Sequence, residues 1–190
     1  MGFCQIPAFD PVTVAVFKSL MSVNGTATAY LGLGANLGDR LASLQGARQA
    51  LALVPGIRVV SASALYETAP VGGPQGQEPY LNAVLQVATD LSATELLGCC
   101  LDIERQFGRR RLAYHGPRTL DIDLLFFADL VCQEKDLVLP HPRLHLRAFV
   151  LFPLCDLAPG LSHPLLHKTV RELRDQLPGG QDIKRLSQAW

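Results

Sequence analysis

The chain of 190 residues lacks several features that would assign it to a common protein class. Its five cysteines are odd in number and include no C-x-x-C pair, so we expect free thiols in a reducing compartment rather than a disulfide framework or a thiolate zinc site. The 17 basic residues are balanced by 17 acidic ones, which disfavours a nucleic-acid partner. No apolar run reaches the roughly 18 residues of a membrane span. These shortages predict a cytoplasmic protein with no membrane partner.

The rest of the composition is that of a globular domain. Hydrophobic residues make up 48% of the chain and charged residues 18%, which is enough for a buried core in one domain. Residues 1–25 differ from the rest and are predicted to be a loosely attached N-terminal extension, with Met21 as a second candidate start. The folded domain is then expected over residues 26–180, and residues 181–190 are expected to be a tail.

Hydrophobic periodicity predicts the order strand, helix, strand, strand, helix, strand. Strands are expected at 28–34, 57–66, 80–89 and from Thr119, and helices after Asn36, after Ser92, from Arg147 until Pro153, and after Thr169. Paired strands between helices exclude an all-parallel sheet. The predicted fold class is therefore α+β, a ferredoxin-like βαββαβ sandwich with helices packed on one face of an antiparallel sheet, plus C-terminal additions.

The stretch from Gly116 to Phe127, GPRTLDIDLLFF, carries the clearest chemical signal. Gly-Pro supplies a turn, and the alternation of polar and apolar residues after it predicts a strand. Asp121 and Asp123 then lie on one strand face, about 6.6 Å apart along the backbone. Their oxygens suit Mg²⁺ that is shared with nucleotide phosphates. A bare D-x-D motif is as often a solvated strand face, so this interpretation needs support from other residues.

That support comes from arginines that precede the two aspartates. Five of the 17 basic residues lie there with no acidic residue among them: Arg105, Arg109, Arg110, Arg111 and Arg118. Carboxylates that hold metal, together with guanidinium groups, are what phosphoryl transfer requires. Two other interpretations of these residues stay open: a non-catalytic ligand-binding module on a ferredoxin-like scaffold, and a two-metal nuclease, which the neutral net charge disfavours.

Other patterns in the chain carry less weight. The glycines of Gly32-x-Gly34-x-x-x-Gly38 depart by one residue from the spacing of a dinucleotide-binding loop. His141 and His163 are each followed by a second histidine four residues on, but a proline directly after each first histidine excludes a continuous zinc-binding helix. The Cys99–Cys100 pair is predicted on the core face of a helix, a poor place for a nucleophile.

Several segments resemble, in order and spacing, those of the 6-hydroxymethyl-7,8-dihydropterin pyrophosphokinase family. The GPRTLDIDLL stretch is similar to the family's signature. The other matching segments are Gly34-Ala-Asn-Leu-Gly38, Tyr66-Glu-Thr-Ala-Pro-Val-Gly72, Tyr80-Leu-Asn82, Ile103-Glu104, Leu139-Pro-His141 and Arg147-Ala-Phe149. Because they extend over about residues 28 to 177, the resemblance is far more specific than the D-x-D motif alone.

The resemblance implies a function in folate biosynthesis. The family transfers pyrophosphate from ATP to the hydroxymethyl group of 6-hydroxymethyl-7,8-dihydropterin and releases AMP. ATP is then the co-substrate, and two Mg²⁺ ions are the expected cofactors. The expected partners are ATP and 6-hydroxymethyl-7,8-dihydropterin, and the protein is expected to be a monomer. The loops over 67–79 and 108–118 are expected to be mobile and to close over both substrates.

The resemblance also implies a role for each matching residue. These roles are metal binding by Asp121 and Asp123; catalysis by Arg109, Arg118 and Asp123; ATP binding by Glu104, Arg109, Arg111, Arg118, His141 and Arg147; and pterin binding by Thr68, Pro70, Val71, Gly72, Tyr80, Asn82 and Phe149. Tyr80 and Phe149 match the pair of rings that stacks on the pterin, and Asn82 matches the amide that reads its edge.

Three residues depart from the family pattern. Tyr114 and His115 replace a basic residue and a tryptophan that commonly precede the Gly-Pro turn, which puts one loop contact to substrate in doubt. Asp136 occupies a position where a basic nucleotide contact can occur, so the affinity for ATP is expected to differ. The register of the third loop arginine stays open between Arg110 and Arg111.

Overall fold

The computed structural model describes residues 25–70, 76–108, 117–178 and 182–190. In chain order the elements are β1 (Ala27–Ala35), α1 (Arg40–Leu53), β2 (Ile57–Ala62), β3 (Tyr66–Thr68), β4 (Tyr80–Thr89), α2 (Ala93–Gln106), β5 (Asp121–Phe127), β6 (Cys132–Gln133), β7 (Val138–Leu139), a 3₁₀ turn (Leu144–Leu146), α3 (Ala148–Leu157), β8 (Ser162–His163), β9 (Lys168–Thr169), α4 (Val170–Asp175) and β10 (Ile183–Arg185). Six of the strands form one antiparallel sheet, which confirms the α+β class.

The sheet has the order β10-β3-β4-β1-β5. The strand β2 also pairs with β4, over a later part of β4 than the part that pairs with β3. The strand predicted at 57–66 is therefore two strands, interrupted at 63–65. Ser63 bridges the interruption, because its backbone N–H donates to the Val84 carbonyl at 2.9 Å and its hydroxyl accepts from the Val84 N–H at 2.9 Å. A side chain thus replaces one ladder hydrogen bond and lets the chain bend without leaving β4 unpaired.

Helices cover both faces of the sheet, which corrects the prediction of one covered face. On the first face α1 and α2 bury a core with the sheet, to which β1 contributes Leu31 and Leu33. On the second face α3 and α4 pack against Tyr30, Val84 and Phe126. The sequence of α3, AFVLFPLCDL, is apolar on nearly every side, and such a helix has to be buried. That apolarity explains why a second layer forms.

Two helix ends were predicted correctly and two were not. Capping boxes at Ser92 and Thr169 are confirmed, with both reciprocal hydrogen bonds formed in each. The cap of α1 is Asp39, whose Oδ1 accepts from the Ala42 N–H at 2.9 Å, rather than the expected Asn36. Pro153 lies inside α3 instead of ending it.

The predicted tail is also corrected in its described part, 182–190. Ile183–Arg185 form the edge strand β10, which pairs with β3. A short strand of one apolar and two basic residues has no alternation that a sequence pattern would detect. Among the residues the structure describes, no helix has both the length and the apolarity needed to cross a bilayer.

Candidate active site

A cleft opens on the second face of the sheet, beside α3. The strand register builds its floor, because Gly34 of β1 pairs with Asp121 of β5 on one side and with Asn82 of β4 on the other. One step along the strands, Gly32 pairs with Asp123. Cross-strand partners share a sheet face, so both aspartates and Asn82 point into the same cleft.

Glycine at position 34 keeps this floor open. A Cβ atom there would lie 3.1 Å from the Asn82 Oδ1 atom, closer than most real Cβ contacts. The side-chain amide of Asn82 therefore lies directly over the Gly34 backbone, and any larger residue would push the amide away.

The two carboxylates are held by two arginines. Arg118 donates from Nη1 to Oδ2 of Asp121, and Nη1 of Arg147 lies 3.5 Å from Oδ2 of Asp123. The Asp121 side chain is 21% exposed and that of Asp123 is 35% exposed, so both remain accessible from the cleft. The positive charges of the two arginines offset much of the repulsion between the two carboxylates. The pairing also brings two guanidinium groups beside the carboxylates, and guanidinium groups can bind phosphate oxygens.

His141 faces the same carboxylate, with its Nε2 4.0 Å from Oδ2 of Asp123. Burial, and then the positive charges of Arg147 and Arg143, lower the pKa of His141 to about 4. The ring is therefore neutral near pH 7. The backbone N–H of Arg143 donates to its Nδ1 at 3.3 Å, which leaves the proton on Nε2, directed toward the cleft.

Asn36 joins the two segments that enclose the cleft. Its Oδ1 accepts from the backbone N–H of Arg118 at 2.7 Å, and its backbone N–H donates to the Arg118 carbonyl at 3.0 Å. Its Nδ2 lies 3.2 Å from Oε1 of Gln77 and 3.3 Å from the Glu78 carbonyl. This buried side chain thus fixes both Arg118 and the end of the segment that leads into β4.

The other end of the cleft suits a flat, polar ring. The Asn82 Nδ2 donates to Thr68 Oγ1 at 2.9 Å, which fixes the orientation of the amide. Tyr80, which lies on the same strand as Asn82, and Phe149 of α3 both line the cleft. The Arg147 guanidinium carbon lies 5.4 Å from the centre of the Phe149 ring, which holds that ring beside the carboxylates.

The structure brings most of the predicted site residues together. Nine of them line the cleft: Thr68, Tyr80, Asn82, Arg118, Asp121, Asp123, His141, Arg147 and Phe149. Pro70 is described but is not among the lining residues. The predictions for Arg109, Arg111, Val71 and Gly72 fall outside the described residues.

Glu104 lies elsewhere, in the core between α2 and β5. It is 2% exposed, and its Oε1 accepts from the Ile122 N–H at 2.7 Å. Since β5 is an edge of the sheet, this carboxylate pairs a backbone donor that β1 does not reach. The structure therefore gives Glu104 a role in holding β5, and its predicted contact with ATP stays a prediction.

Sequence reasoning missed three contributors to the cleft. Arg143 lines it, and no ion pair to its side chain is found in the described part of the chain. Gly34 is required by the approach of Asn82, and Asn36 bridges two loops. The GANLG segment contains Gly34 and Asn36, so its resemblance to the family was a signal for these two residues. No sequence motif indicated Arg143.

The donor set of the cleft fits a hard cation that also binds a second molecule. Asp121 and Asp123 supply carboxylate oxygens on one face, 21% and 35% exposed. Over the ranges that the structure describes, no group of three or more metal-binding side chains is found. A cation here would have to complete its shell with water or with substrate oxygens, as Mg²⁺ does at nucleotide sites.

Comparison with known proteins assigns most of the chain to one family. Residues 30–159 match the model of the 7,8-dihydro-6-hydroxymethylpterin-pyrophosphokinase (HPPK) family. The chain belongs to the HPPK family. All nine lining residues that the sequence predicted lie inside the matched range.

Individual members of the HPPK family are similar over most of the chain. A 2-amino-4-hydroxy-6-hydroxymethyldihydropteridine pyrophosphokinase of Methylorubrum extorquens is 46% identical over 153 residues, which cover 80% of this chain and 95% of the relative. One of the same name from Synechocystis sp. is 44% identical over 149 residues, which cover 78% of this chain and 75% of the relative.

A solved structure supports the fold of the family. A Plasmodium falciparum HPPK-DHPS structure with pterin and p-hydroxybenzoate superposes with a TM-score of 0.65 and 18% sequence identity. The alignment covers 83% of this chain and 44% of that one, so the chain spans less than half the length of the solved protein.

Proposed function

We propose that the chain transfers pyrophosphate from ATP to the hydroxymethyl group of 6-hydroxymethyl-7,8-dihydropterin and releases AMP. The observation that carries this proposal is the single cleft in which Asp121 and Asp123 lie next to Asn82 and the rings of Tyr80 and Phe149. One end offers carboxylates and guanidinium groups for a metal-bound polyphosphate, and the other offers an apolar slot with an oriented amide for a heteroaromatic ring.

Asn82 sets the polarity of pterin recognition. One N–H of its Nδ2 donates to Thr68, so its Oδ1 remains to accept a hydrogen bond from a ligand and the second N–H remains to donate one. The ring edge of a pterin carries an amino group and a ring N–H, which are donors. Tyr80 and Phe149 would then lie against the two faces of the ring.

Asp121 and Asp123 would hold two Mg²⁺ ions together with the phosphates of ATP. Bound there, the ions would neutralise charge on the transferred group and on the leaving AMP. Arg118 and Arg147, which pair with the carboxylates in this structure, would bind phosphate oxygens when the ions occupy the carboxylates. His141, with its proton on Nε2, would donate a hydrogen bond to the same group.

The reaction is an in-line displacement at the β-phosphorus. The hydroxymethyl oxygen of the pterin forms a bond to that phosphorus, the bond from phosphorus to the oxygen bridging the α-phosphate breaks, and AMP leaves with that oxygen. Asp123 would help to draw the proton from the attacking hydroxyl as the new bond forms. The protein contributes chiefly position and charge, since both substrates lie in one cleft.

The finer fold class belongs to the same proposal. The sheet order β3-β4-β1-β5, with α1 and α2 on one face and every pairing antiparallel, supports a ferredoxin-like βαββαβ unit. The strand β10, α3 and α4 are then the C-terminal additions.

The experiment is a product analysis of Mg-ATP turnover with and without 6-hydroxymethyl-7,8-dihydropterin, using the wild type and Asp123→Ala. We expect AMP that depends on the pterin and disappears in the variant. ADP in place of AMP would indicate transfer of a single phosphate and would overturn the mechanism. Absence of turnover in the folded wild type would favour a non-catalytic binding module.

A further inference from the structure

The segment 183–190 holds the outer edge of β3. Ile183, Lys184 and Arg185 pair with Thr68, Glu67 and Tyr66 in antiparallel register, and beyond them the Leu186 N–H donates to the Leu65 carbonyl at 2.9 Å. Without this segment the three residues of β3 would be the edge of the sheet, with one row of backbone donors and acceptors open to water.

Trp190 anchors the far end of the segment. Its indole Nε1–H donates to the Ser63 carbonyl at 2.8 Å, at the interruption between β2 and β3. Arg48 of α1 places its guanidinium carbon 5.7 Å from the centre of the indole ring and also donates to the Trp190 carbonyl. Leu186 and Trp190 pack against the core on the first face of the sheet. The segment therefore links β3, the β2–β3 connection and α1.

The inner edge of β3 carries part of the cleft. Thr68 pairs with Tyr80, and Tyr66 pairs with Asn82. The Thr68 hydroxyl is the acceptor that orients the Asn82 amide. A shift of β3 along β4 would therefore move Thr68 away from the Asn82 Nδ2 and release the amide to rotate.

We propose that residues 183–190 are a positioning element for pterin recognition, acting through β3 on the orientation of Asn82. This inference rests on the proposed function. Of the groups assigned to ATP, Asp121 and Asp123 lie on β5, on the other side of β1, and Arg147 at the start of α3 lies 3.5 Å from Asp123. Disturbing the segment weakens pterin binding and leaves ATP binding unchanged.

The test compares Trp190→Ala with the matched control Gln188→Ala, an exposed change within the same segment that removes no described hydrogen bond. Loss of the indole contacts raises KM for 6-hydroxymethyl-7,8-dihydropterin about tenfold, the effect of a hydrogen bond and its packing. KM for ATP and kcat stay within about twofold of the wild type, as do all constants of the control. Equal rises in both KM values, or no rise in either, would overturn the proposal.

A milder variant covers the case in which Trp190→Ala does not fold. Trp190→Phe keeps an aromatic ring over Arg48 but lacks the N–H that reaches Ser63, so a smaller rise confined to the pterin KM is expected.

Amide exchange supplies a readout that does not need turnover. Coupling between two sites is reciprocal, so the pterin must also slow exchange at the Leu186 N–H, while a non-hydrolysable Mg-ATP analogue alone must not. Unchanged exchange with bound pterin would contradict the inference even in an active enzyme. If the wild type binds pterin without turnover, the proposed function fails and this measurement still decides the inference.

Discussion

The first face of the sheet, beneath α1 and α2, differs in kind from the second face, which is divided between α3 and the cleft. The same strands supply both. In β1, Leu31 and Leu33 are buried in the first core, while Gly32 and Gly34 face the cleft. In β5, Ile122 points into the core while its two neighbouring aspartates face the cleft.

This difference shows how one alternating pattern separates stability from chemistry. The first face is closed by apolar side chains, and residues there are expected to affect the free energy of unfolding. The second face is left open in part because glycine supplies no side chain and the polar residues carry charge. Substitutions that alternate along a single strand should therefore have opposite consequences.

The largest expected effect comes from neighbours in β5. Asp123→Asn should reduce kcat about 10³-fold, because it removes a charge from the pair of carboxylates proposed to hold Mg²⁺. Ile122→Ala should keep kcat near that of the wild type while lowering the free energy of unfolding by about 2–5 kcal/mol. Steady-state kinetics and urea unfolding of both variants measure the comparison. A folded Ile122→Ala enzyme with a kcat as low as that of Asp123→Asn would break it.

A glycine pair gives the next largest effect. Gly34→Val should lower kcat/KM for the pterin about 10²-fold, because the new side chain displaces the Asn82 amide. The control is Gly98→Ala in α2, where the new Cβ would meet nothing within 4 Å apart from adjoining residues and the helix's own backbone, and the helix should gain about 0.5–1 kcal/mol. Pterin binding by calorimetry, together with thermal unfolding, tests both. Tight pterin binding in a folded Gly34→Val protein would show that the floor of the cleft is not where the ring binds.

Arg143 sharpens the comparison at the rim of the cleft. Its guanidinium lines the site and no described ion pair neutralises it, so we expect it to bind a phosphate of ATP. Arg143→Gln should raise KM for ATP about tenfold and leave pterin binding unchanged. Arg171→Gln, an exposed change on α4, is the control. Affinity for AMP that falls as much as affinity for ATP would point to a contact with the nucleoside end instead.

Glu104 tests whether a charged residue on the first face is structural. Glu104→Ala should cost about 1–3 kcal/mol of unfolding free energy, because the buried Ile122 N–H loses its acceptor. Glu104→Gln should lose less, since the amide oxygen can still accept. KM for ATP should change little in either variant. A rise in that KM without loss of stability would support the ATP contact that the family resemblance implies.

The smallest effect concerns the part of the second face beneath α3. Burial, and then the hydrogen bond from the Tyr66 hydroxyl to Asp156, raise the pKa of Tyr66 from its usual 10 to about 12. The contribution of the protonated Tyr66 hydroxyl to stability is complete below pH 10. It is lost between pH 10 and about 12, because over this interval Tyr66 ionises in the unfolded chain before it ionises in the folded one. The difference in unfolding free energy between the wild type and Tyr66→Phe should therefore shrink over this interval. A difference that is constant with pH would contradict the assignment.

Much of the first face was predictable from the sequence. Apolar periodicity located β1, β4 and both helices of that face, and the capping box at Ser92 fixed the start of α2. The interruption at Ser63 was not predictable from the sequence. It depends on a hydrogen bond between the Ser63 hydroxyl and Val84 of β4, which is distant in the sequence. The strand β10 has too few residues for a period, and it forms because β3 offers an open edge.

The candidate site was predictable where a motif carried chemistry and not where geometry alone decides. Asp121, Asp123 and Asn82 lie in the cleft as the motifs implied. Asn36 looked like a helix cap because its type favours caps, but Asp39 takes that role and Asn36 binds two loops instead. Such long-range hydrogen bonds leave no trace in local spacing.

The measurement that tests the central claim most directly follows the β- and γ-phosphates of Mg-ATP by phosphorus NMR in the presence of 6-hydroxymethyl-7,8-dihydropterin. The account predicts that both phosphates appear together on the pterin while one AMP forms for each pterin consumed. Formation of ADP, or of free pyrophosphate without modified pterin, would show that the cleft does not bring these two substrates together for pyrophosphate transfer.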